Sequence, residues 1–147
     1  MRGIFLSLFL VVSAQSAADD GIRFDSVDIW LDSAESVAAW QFELSDRNGT
    51  MKVVGIENGD SDAFAGTPYY DREAVQLGTA DRIVVADYSL DEKESLPSGR
   101  IRLATLHLML TGAYDPAFNL RLVTATTRDG QAIDASISLE SPTGSTQ

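Results

Sequence analysis

Residues that could carry out chemistry are few in this chain, and most of them are carboxylates. The sequence contains 22 Asp and Glu residues, a single histidine at His107, and no cysteine. A chain without cysteine has no thiol nucleophile and no cysteine-ligated zinc. His107 lies between Leu106 and Leu108 in an apolar run. A catalytic site needs a cluster of groups, so we interpret this histidine as structural and predict no catalytic residue.

Two carboxylates at a suitable separation are all that a glycosidase requires. The acidic residues of this chain allow many such pairs. Their spacing does not single out one acid of raised pKa beside an ionised partner. An enzyme is therefore the weakest of the three functional hypotheses considered below.

The segment NGDSD is the candidate metal site. It places Asp60 and Asp62 two residues apart, close to Glu57. Carboxylate oxygens are ligands that calcium prefers, although no EF-hand loop occurs in the sequence. A solvated acidic turn explains the same three residues. Calcium is the one cofactor that the sequence suggests.

Four aromatic residues are candidates for ligand binding. Alternation within VDIWLD places Trp30 on the face opposite Val27, Ile29 and Leu31. An outward indole can stack on a sugar ring or anchor a protein interface, and cover by a neighbouring loop is the alternative. The other candidates lie in the long connection 58–80 or at the end of a strand: Tyr69, Tyr70 and Tyr88.

Residues 1–17 have the pattern of a secretory signal peptide, with Arg2 before the apolar run GIFLSLFLVV and small residues near Ala18. We therefore expect a secreted protein, extracellular or periplasmic, with one domain at 18–140 and a flexible tail at 141–147. The processed chain carries 10 basic and 22 acidic residues, a formal charge of −12. This charge repels phosphate backbones and anionic lipids, so we expect no nucleic acid or membrane partner.

Apolar residues from Ile22 onward follow a period of two, which is typical of strands. VAAWQFEL has Trp40, Phe42 and Leu44 on one face, and the apolar triplet 83–85 indicates a strand buried on both faces. The run RIRLATLHLMLTG predicts the longest strand, central in its sheet. One of its faces carries Ala104, Leu106, Leu108 and Leu110, and the other carries Ile101, Leu103, Thr105, His107 and Met109.

The end of the domain reads as two strands joined in a hairpin at Asp129–Gly130. The whole pattern predicts an all-β protein, an antiparallel sandwich of jelly-roll or Ig-like type with about 7–9 strands. In the long loop, DREAVQL predicts a short helix.

The segment VAAWQFELSDRNGTMKVVGIENG resembles the early part of the cohesin domain family. There, an aliphatic–aromatic–Gln–Phe–x–Leu strand leads into an apolar strand that ends in Gly. RIVVADYS and GRIRLATLHLMLTG resemble later strands of the family, so that the similarity spans residues 27–139. The matching early positions are Ala39, Trp40, Gln41, Phe42, Leu44, Val53, Val54, Gly55, Ile56 and Gly59.

This resemblance implies a nine-stranded jelly roll, related to carbohydrate-binding modules, that acts by non-covalent recognition. In cohesins one sheet face receives the helices of a dockerin during assembly of polysaccharide-degrading complexes. Here Ser45–Asp46 replaces the family's usual Tyr–Asp pair, and the domain is expected to be a stand-alone member. The first hypothesis is therefore a secreted protein-binding module with a dockerin-like partner. The second is a carbohydrate-binding module that uses its exposed aromatics on a polysaccharide.

Mass spectrometry of the exported protein tests the predicted leader. We expect a mature N-terminus created by cleavage between Ala14 and Ala18, because signal peptidase requires small residues at its site. A secreted chain that still begins at Met1 or Arg2 would contradict the prediction.

Overall fold

The structure is a computed structural model that describes residues 21–142. The signal peptide predicted for 1–17 and residues 143–147 of the predicted tail lie outside the described residues. Within this range seven strands form, accompanied by one short helix and two 3-10 turns, at Asp62–Phe64 and Lys93–Ser95. The elements are β1 (Ile22–Ser33), β2 (Ala39–Asp46), β3 (Met51–Asn58), α1 (Arg72–Gln76), β4 (Arg82–Tyr88), β5 (Gly99–Thr111), β6 (Phe118–Thr126) and β7 (Ala135–Glu140).

The strands form two antiparallel sheets that pack face to face. The four-stranded sheet has the order β3–β5–β1–β7, and the three-stranded sheet has the order β4–β2–β6. This confirms the predicted all-β sandwich, with seven strands in place of the nine that the resemblance implies. The longest strand, β5, has 13 residues and is an inner strand of its sheet, as predicted. None of the helices in this part of the chain is long and apolar enough to cross a membrane.

One core lies between the two sheets, and the period-two pattern supplies it from both sides. Ile29 and Leu31 of β1 and Phe42 of β2 are fully buried. The indole of Trp40 stacks on Phe42 with ring centroids 5.8 Å apart, and it meets the edge of Phe64 at 5.9 Å. Burying a large apolar side chain contributes roughly 1.5–3 kcal/mol, so these positions hold the domain together without a disulfide.

A bulge in β5 corrects the predicted faces of that strand. Ile29 pairs with Ala104, but the next residue, Trp30, pairs with Arg102. Leu103 is the extra residue. Because an extra residue reverses the alternation beyond it, Ile101 points into the core and Leu103 is also buried. Simple alternation predicts both on the face that carries Thr105 and His107.

The predicted hairpin between the last two strands is also wrong in part. The turn at Asp129–Gly130 does form, with Gly130 at a φ of 78°, but pairing stops at the Thr126–Ala132 bridge. Ile133 is then buried, and the chain crosses to the other sheet, where β7 pairs with β1. Two strands that flank a tight turn therefore belong to different sheets.

The long connection contains the short helix that DREAVQL predicts. The carboxylate of Asp71 accepts a hydrogen bond from the backbone N–H of Ala74 at 2.9 Å and so caps α1. Val75 of α1 is buried against the core. At the start of this connection, a Cβ on Gly59 would lie 1.7 Å from the carbonyl oxygen of Arg102. Close backbone approach therefore requires a glycine at this matched position.

The carboxylate of Asp46 joins the end of β2 to two other segments. It accepts backbone N–H bonds from Asn48, Thr50 and Met51 and, from the start of the neighbouring strand β6, from Ala117 at 2.7 Å. The hydroxyl of Thr50 donates a further bond at 2.8 Å. Partial desolvation raises the pKa of Asp46, but these hydrogen bonds outweigh it and lower the pKa to about 2.

Replacing Asp46 with Asn should destabilise the domain by about 1–3 kcal/mol, since an amide leaves several of these N–H donors without a partner. The stabilisation by the carboxylate is complete above the unfolded pKa of 3.8 and is lost as the pH falls towards about 2. Urea unfolding should therefore show a difference between wild type and variant that is largest near neutral pH and shrinks below pH 4.

Asp115→Asn is the control, because the side chain of Asp115 is 98 % exposed. A surface ion pair of this kind contributes about 0–1 kcal/mol. Equal losses in the two variants would contradict the role assigned to Asp46.

Candidate functional site

The outer face of the three-stranded sheet is the candidate site. Its side chains alternate with the core positions of β2, β4 and β6, and no other described element packs over it. Three cross-strand rows follow from the pairing register. In order along the face they are Arg82–Ser45–Asn119, Val84–Glu43–Arg121 and Ala86–Gln41–Thr124.

Two exposed tyrosines stand at one end of this face. Tyr69 bridges to Ala86 at the edge of β4, through backbone hydrogen bonds of 2.8 and 3.0 Å. Its ring stacks on Tyr88 with centroids 5.9 Å apart and planes within 10°. The rings are 60 % and 54 % exposed. The neighbouring hydroxyl of Tyr88 is the main cause that raises the pKa of Tyr69.

Two arginines share one carboxylate at the other end of the face. Nη2 of Arg82 and Nη2 of Arg121 contact the same oxygen of Glu43, Oε2, at 2.5 and 3.0 Å. The side chain of Glu43 is only 12 % exposed, whereas those of Arg82 and Arg121 are 60 % and 59 % exposed. The hydrogen bond from Arg82, followed by that from Arg121, lowers the pKa of Glu43 to about 2 against some desolvation.

The middle of the face carries small and medium-sized side chains, both apolar and polar, in the row Ala86–Gln41–Thr124. Val84 lies in the row of Glu43 and Arg121, Ala86 lies one row closer to the tyrosine pair, and both are half-buried. The predicted burial of β4 on both faces is therefore wrong for Val84, because no layer covers this side. Three strands at about 4.8 Å spacing give a face about 10 Å wide, which is close to the diameter of an α-helix of about 10–12 Å.

Trp30 lies on the opposite side of the molecule, on the outer face of the four-stranded sheet. The guanidinium of Arg100 covers its ring at 4.4 Å, and Glu140 holds Arg100 at 2.7 Å. The indole points outward as predicted, but a side chain rather than a loop covers this ring face. Its N–H is buried without a hydrogen-bond partner, beside a small cavity of about 230 Å³ that Pro97 and Ser61 also line.

The three residues predicted to bind calcium do not converge. Asp60 pairs with Arg102, whose Nε lies 3.2 Å from Oδ2 of Asp60, and this hydrogen bond lowers the pKa of Asp60. Glu57 lies 3.3 Å from Nε2 of His107, and Asp62 begins a 3-10 turn. Within residues 21–142, no three acidic or histidine side chains are grouped as metal ligands.

The four aromatic candidates likewise do not share one surface. Tyr69 and Tyr88 form a pair, but Trp30 is on the other sheet. Tyr70 is half-buried against the core, and the guanidinium of Arg72 lies 5.7 Å from its ring centroid. A single stacking platform made from all four residues is therefore not present.

Around Asp28 the outer face of the four-stranded sheet is polar and internally bonded, whereas Phe24, further along β1 on the same face, is 73% exposed. Asp28 is buried and accepts a hydrogen bond from Thr105 at 2.5 Å, while Arg102 donates to the same hydroxyl at 2.6 Å. His107 lies over Gly55, whose added Cβ would be 3.3 Å from the imidazole. Asp28, Thr105 and Arg102 thus satisfy one another, and the His107 side chain is 43% exposed beside Glu57.

A cavity of about 450 Å³ lies at one end of the sandwich. It carries charges of both signs, including Glu35 and Lys93. Arg128 at its rim is paired with Glu92 at 2.7 Å. Ligand pockets are usually lined by apolar side chains with few polar groups, so this cavity is a weaker candidate than the open sheet face.

Sequence reasoning missed the residues Glu43, Arg82 and Arg121. Alternation alone places Glu43 and Arg82 outward, but no local signal tells which strands are neighbours. Only the register, with β2 between β4 and β6, brings the three side chains together.

Comparison with known proteins identifies the fold. The chain is similar to a solved structure, a non-cellulosomal cohesin from the hyperthermophilic archaeon Archaeoglobus fulgidus, with a TM-score of 0.56 and 18% sequence identity. The match covers 76% of this chain and 72% of that chain. No protein-family model matches the sequence, and no curated protein does. The described domain therefore has a cohesin-like fold, as the resemblance predicts.

Replacing Arg100 with Ala should uncover the indole of Trp30. Acrylamide quenching of tryptophan fluorescence should increase, because the second tryptophan, Trp40, is 1% exposed and contributes little. Loss of the cation–π contact should cost about 0.5–1 kcal/mol of stability. Arg121→Ala, on the opposite face, is the control and should leave quenching unchanged. Unchanged quenching in Arg100→Ala would contradict the covered position of Trp30.

Proposed function

We propose that this cohesin-like domain is an exported, non-catalytic module that binds a protein partner through the outer face of the three-stranded sheet. The observation that carries the proposal is the open face itself, with an exposed tyrosine pair at one end and an exposed arginine pair at the other. Tyrosine and arginine are the residue types most enriched at the energetic centres of protein interfaces.

The two outer faces differ in what they offer to a partner. On the four-stranded sheet, Asp28, Arg102 and Asp60 are bonded to one another, and a partner would have to break these contacts. On the three-stranded sheet, the row between the two pairs contains Ala86, Gln41 and Thr124, which leave the strands open to close approach by a partner. This difference favours the three-stranded sheet as the binding face.

A carbohydrate-binding module is the second candidate, and the exposed rings of Tyr69 and Tyr88 favour it. Aromatic rings that bind a polysaccharide present flat faces to successive sugars. Here each ring already stacks on the other, and Trp30 is on the opposite sheet. We therefore place a protein partner first.

A non-catalytic role is supported by how the titratable side chains are used. Asp60 and Glu43 are each paired with arginine, and Nε2 of His107 lies 3.3 Å from Glu57 at the surface. The similar fold belongs to a cohesin. A dockerin-like partner and a role in extracellular polysaccharide processing are part of the same proposal, and they rest on the family resemblance.

Calorimetry with the secreted chains of the source organism that bear paired calcium-loop repeats tests the proposal. We expect one of them to form a complex with the exported chain. Tyr88→Ala should weaken binding by about tenfold or more, since truncating an aromatic anchor costs over 1 kcal/mol. Tyr114→Ala removes an equally large, 75% exposed ring outside this face and should have no effect.

Three outcomes would contradict the proposal. If no such chain forms a complex, the hypothesis of a dockerin-like partner is wrong. If Tyr88→Ala and Tyr114→Ala change the binding affinity equally, the outer face of the three-stranded sheet is not the binding site. Retention of the domain by an insoluble polysaccharide, lost in Tyr88→Ala, would assign the face to a glycan.

A further inference from the structure

We propose that the arginine pair selects the partner, and that it selects a helix that places a carboxylate between Arg82 and Arg121. This inference rests on the proposed function, because it assigns chemistry to the partner of the same face. Three features favour a protein partner with acidic side chains: the local positive charge, the unused hydrogen-bond donors of the two arginines, and the dimensions of the face.

The arginine pair is a local excess of positive charge in an acidic molecule. The sequence has 22 acidic and 11 basic residues. Arg23, Arg100 and Arg128 are each paired with a carboxylate of their own. Arg82 and Arg121 instead share Glu43, so this group of three has a net charge of +1. Because the pKa of Glu43 is about 2, Glu43 stays ionised at any physiological pH and the excess does not change.

The two guanidinium groups have donors left for a ligand. Each uses only Nη2 towards Glu43, and neither donates to any other acceptor in the described part of the chain. A guanidinium has five N–H donors arranged as a planar fork, which binds carboxylates in a bidentate manner. Both heads are more than half exposed. An incoming carboxylate can therefore bridge the pair without displacing Glu43.

The distance between the arginine pair and the tyrosine pair matches the length of two turns of an α-helix. The arginine pair meets at the level of Val84, and the tyrosine pair lies two to four residues further along β4. At about 3.3 Å per residue, the separation is roughly 10 Å, and two helical turns are about 11 Å. A partner helix would thus present Asp or Glu at position i, with an apolar or aromatic side chain near i+7 against Tyr69 and Tyr88.

A uronic-acid polysaccharide also carries carboxylates and is the competing source. Val84 and Ala86 on β4 favour a protein, because apolar side chains of a helix bury surface there, whereas sugar hydroxyls placed over them lose hydrogen bonds to water. Nucleic acids present phosphates, and the strongly negative net charge of the chain opposes their approach.

A display library tests the inference. The probe is a helical-hairpin scaffold with one randomised face, selected against the immobilised exported chain. We expect binders enriched in Asp or Glu at one position and in apolar residues about seven positions away. Their affinity should fall roughly tenfold for the double variant Arg82→Gln/Arg121→Gln, because it removes charge-assisted bonds. It should also fall for Tyr88→Ala.

Arg100→Gln is the matched control. Arg100 is also a strand arginine, about half exposed and paired with one glutamate, but it lies on the opposite sheet. Binding to this variant should equal wild type. Thermal unfolding of each variant identifies losses of fold, and Arg82→Lys/Arg121→Lys, which keeps the charge, should retain part of the affinity.

Three other experimental outcomes would each overturn a specific part of this inference. Binders that require Tyr88 but show no acidic preference, and that bind the double variant equally well, would overturn the carboxylate and leave the proposed face standing. Binders indifferent to both pairs, or a library that yields none, would overturn the inference together with the face. Retention of the domain by polygalacturonate gel, lost in the double variant, would assign the arginine pair to a uronate polymer.

Discussion

Burial of side chains between two sheets is the constraint from which the other features of this domain follow. The chain has no cysteine, and no three described acidic or histidine residues are grouped to hold a metal. Cohesion therefore depends on apolar contact across the sandwich, centred on Trp40, Phe42 and Leu106. Every strand must turn alternate residues inward, so the outward residues are the ones free to vary with function.

The two outer faces show how differently that freedom is used. On the four-stranded sheet, the outward residues are bonded to each other: Asp28 to Thr105, Arg102 to Asp60, and Arg100 to Glu140 over Trp30. Such pairs contribute little to stability when exposed, but they leave few unsatisfied donors. On the three-stranded sheet, a single carboxylate is shared by two arginines and aromatic rings stay exposed. Unused guanidinium donors are thus concentrated on the three-stranded sheet, whereas the four-stranded sheet exposes the apolar ring of Phe24.

Much of the architecture could be predicted because core alternation is local. The inward positions of β1 and β2, the length of β5 and the short helix near Arg72 all follow from a few consecutive residues. The errors have a common cause, which is that the deciding contact is remote in sequence. The bulge at Leu103 depends on pairing with β1, and β6 and β7 separate because β1 offers β7 a free edge. The candidate site was hidden for the same reason, since Glu43 and Arg121 are 78 positions apart.

The pairing of β1 with β5 and β7 also bears on how the domain forms. β1 is an inner strand, yet its two neighbours begin at Gly99 and Ala135. While the polypeptide emerges from the ribosome, the first strand has no partner until most of the sequence has been made. Domains dominated by such non-local pairing fold slowly, in milliseconds to seconds. A nascent chain of this topology therefore cannot complete its four-stranded sheet until synthesis is nearly finished, and until then β1 remains accessible to a chaperone.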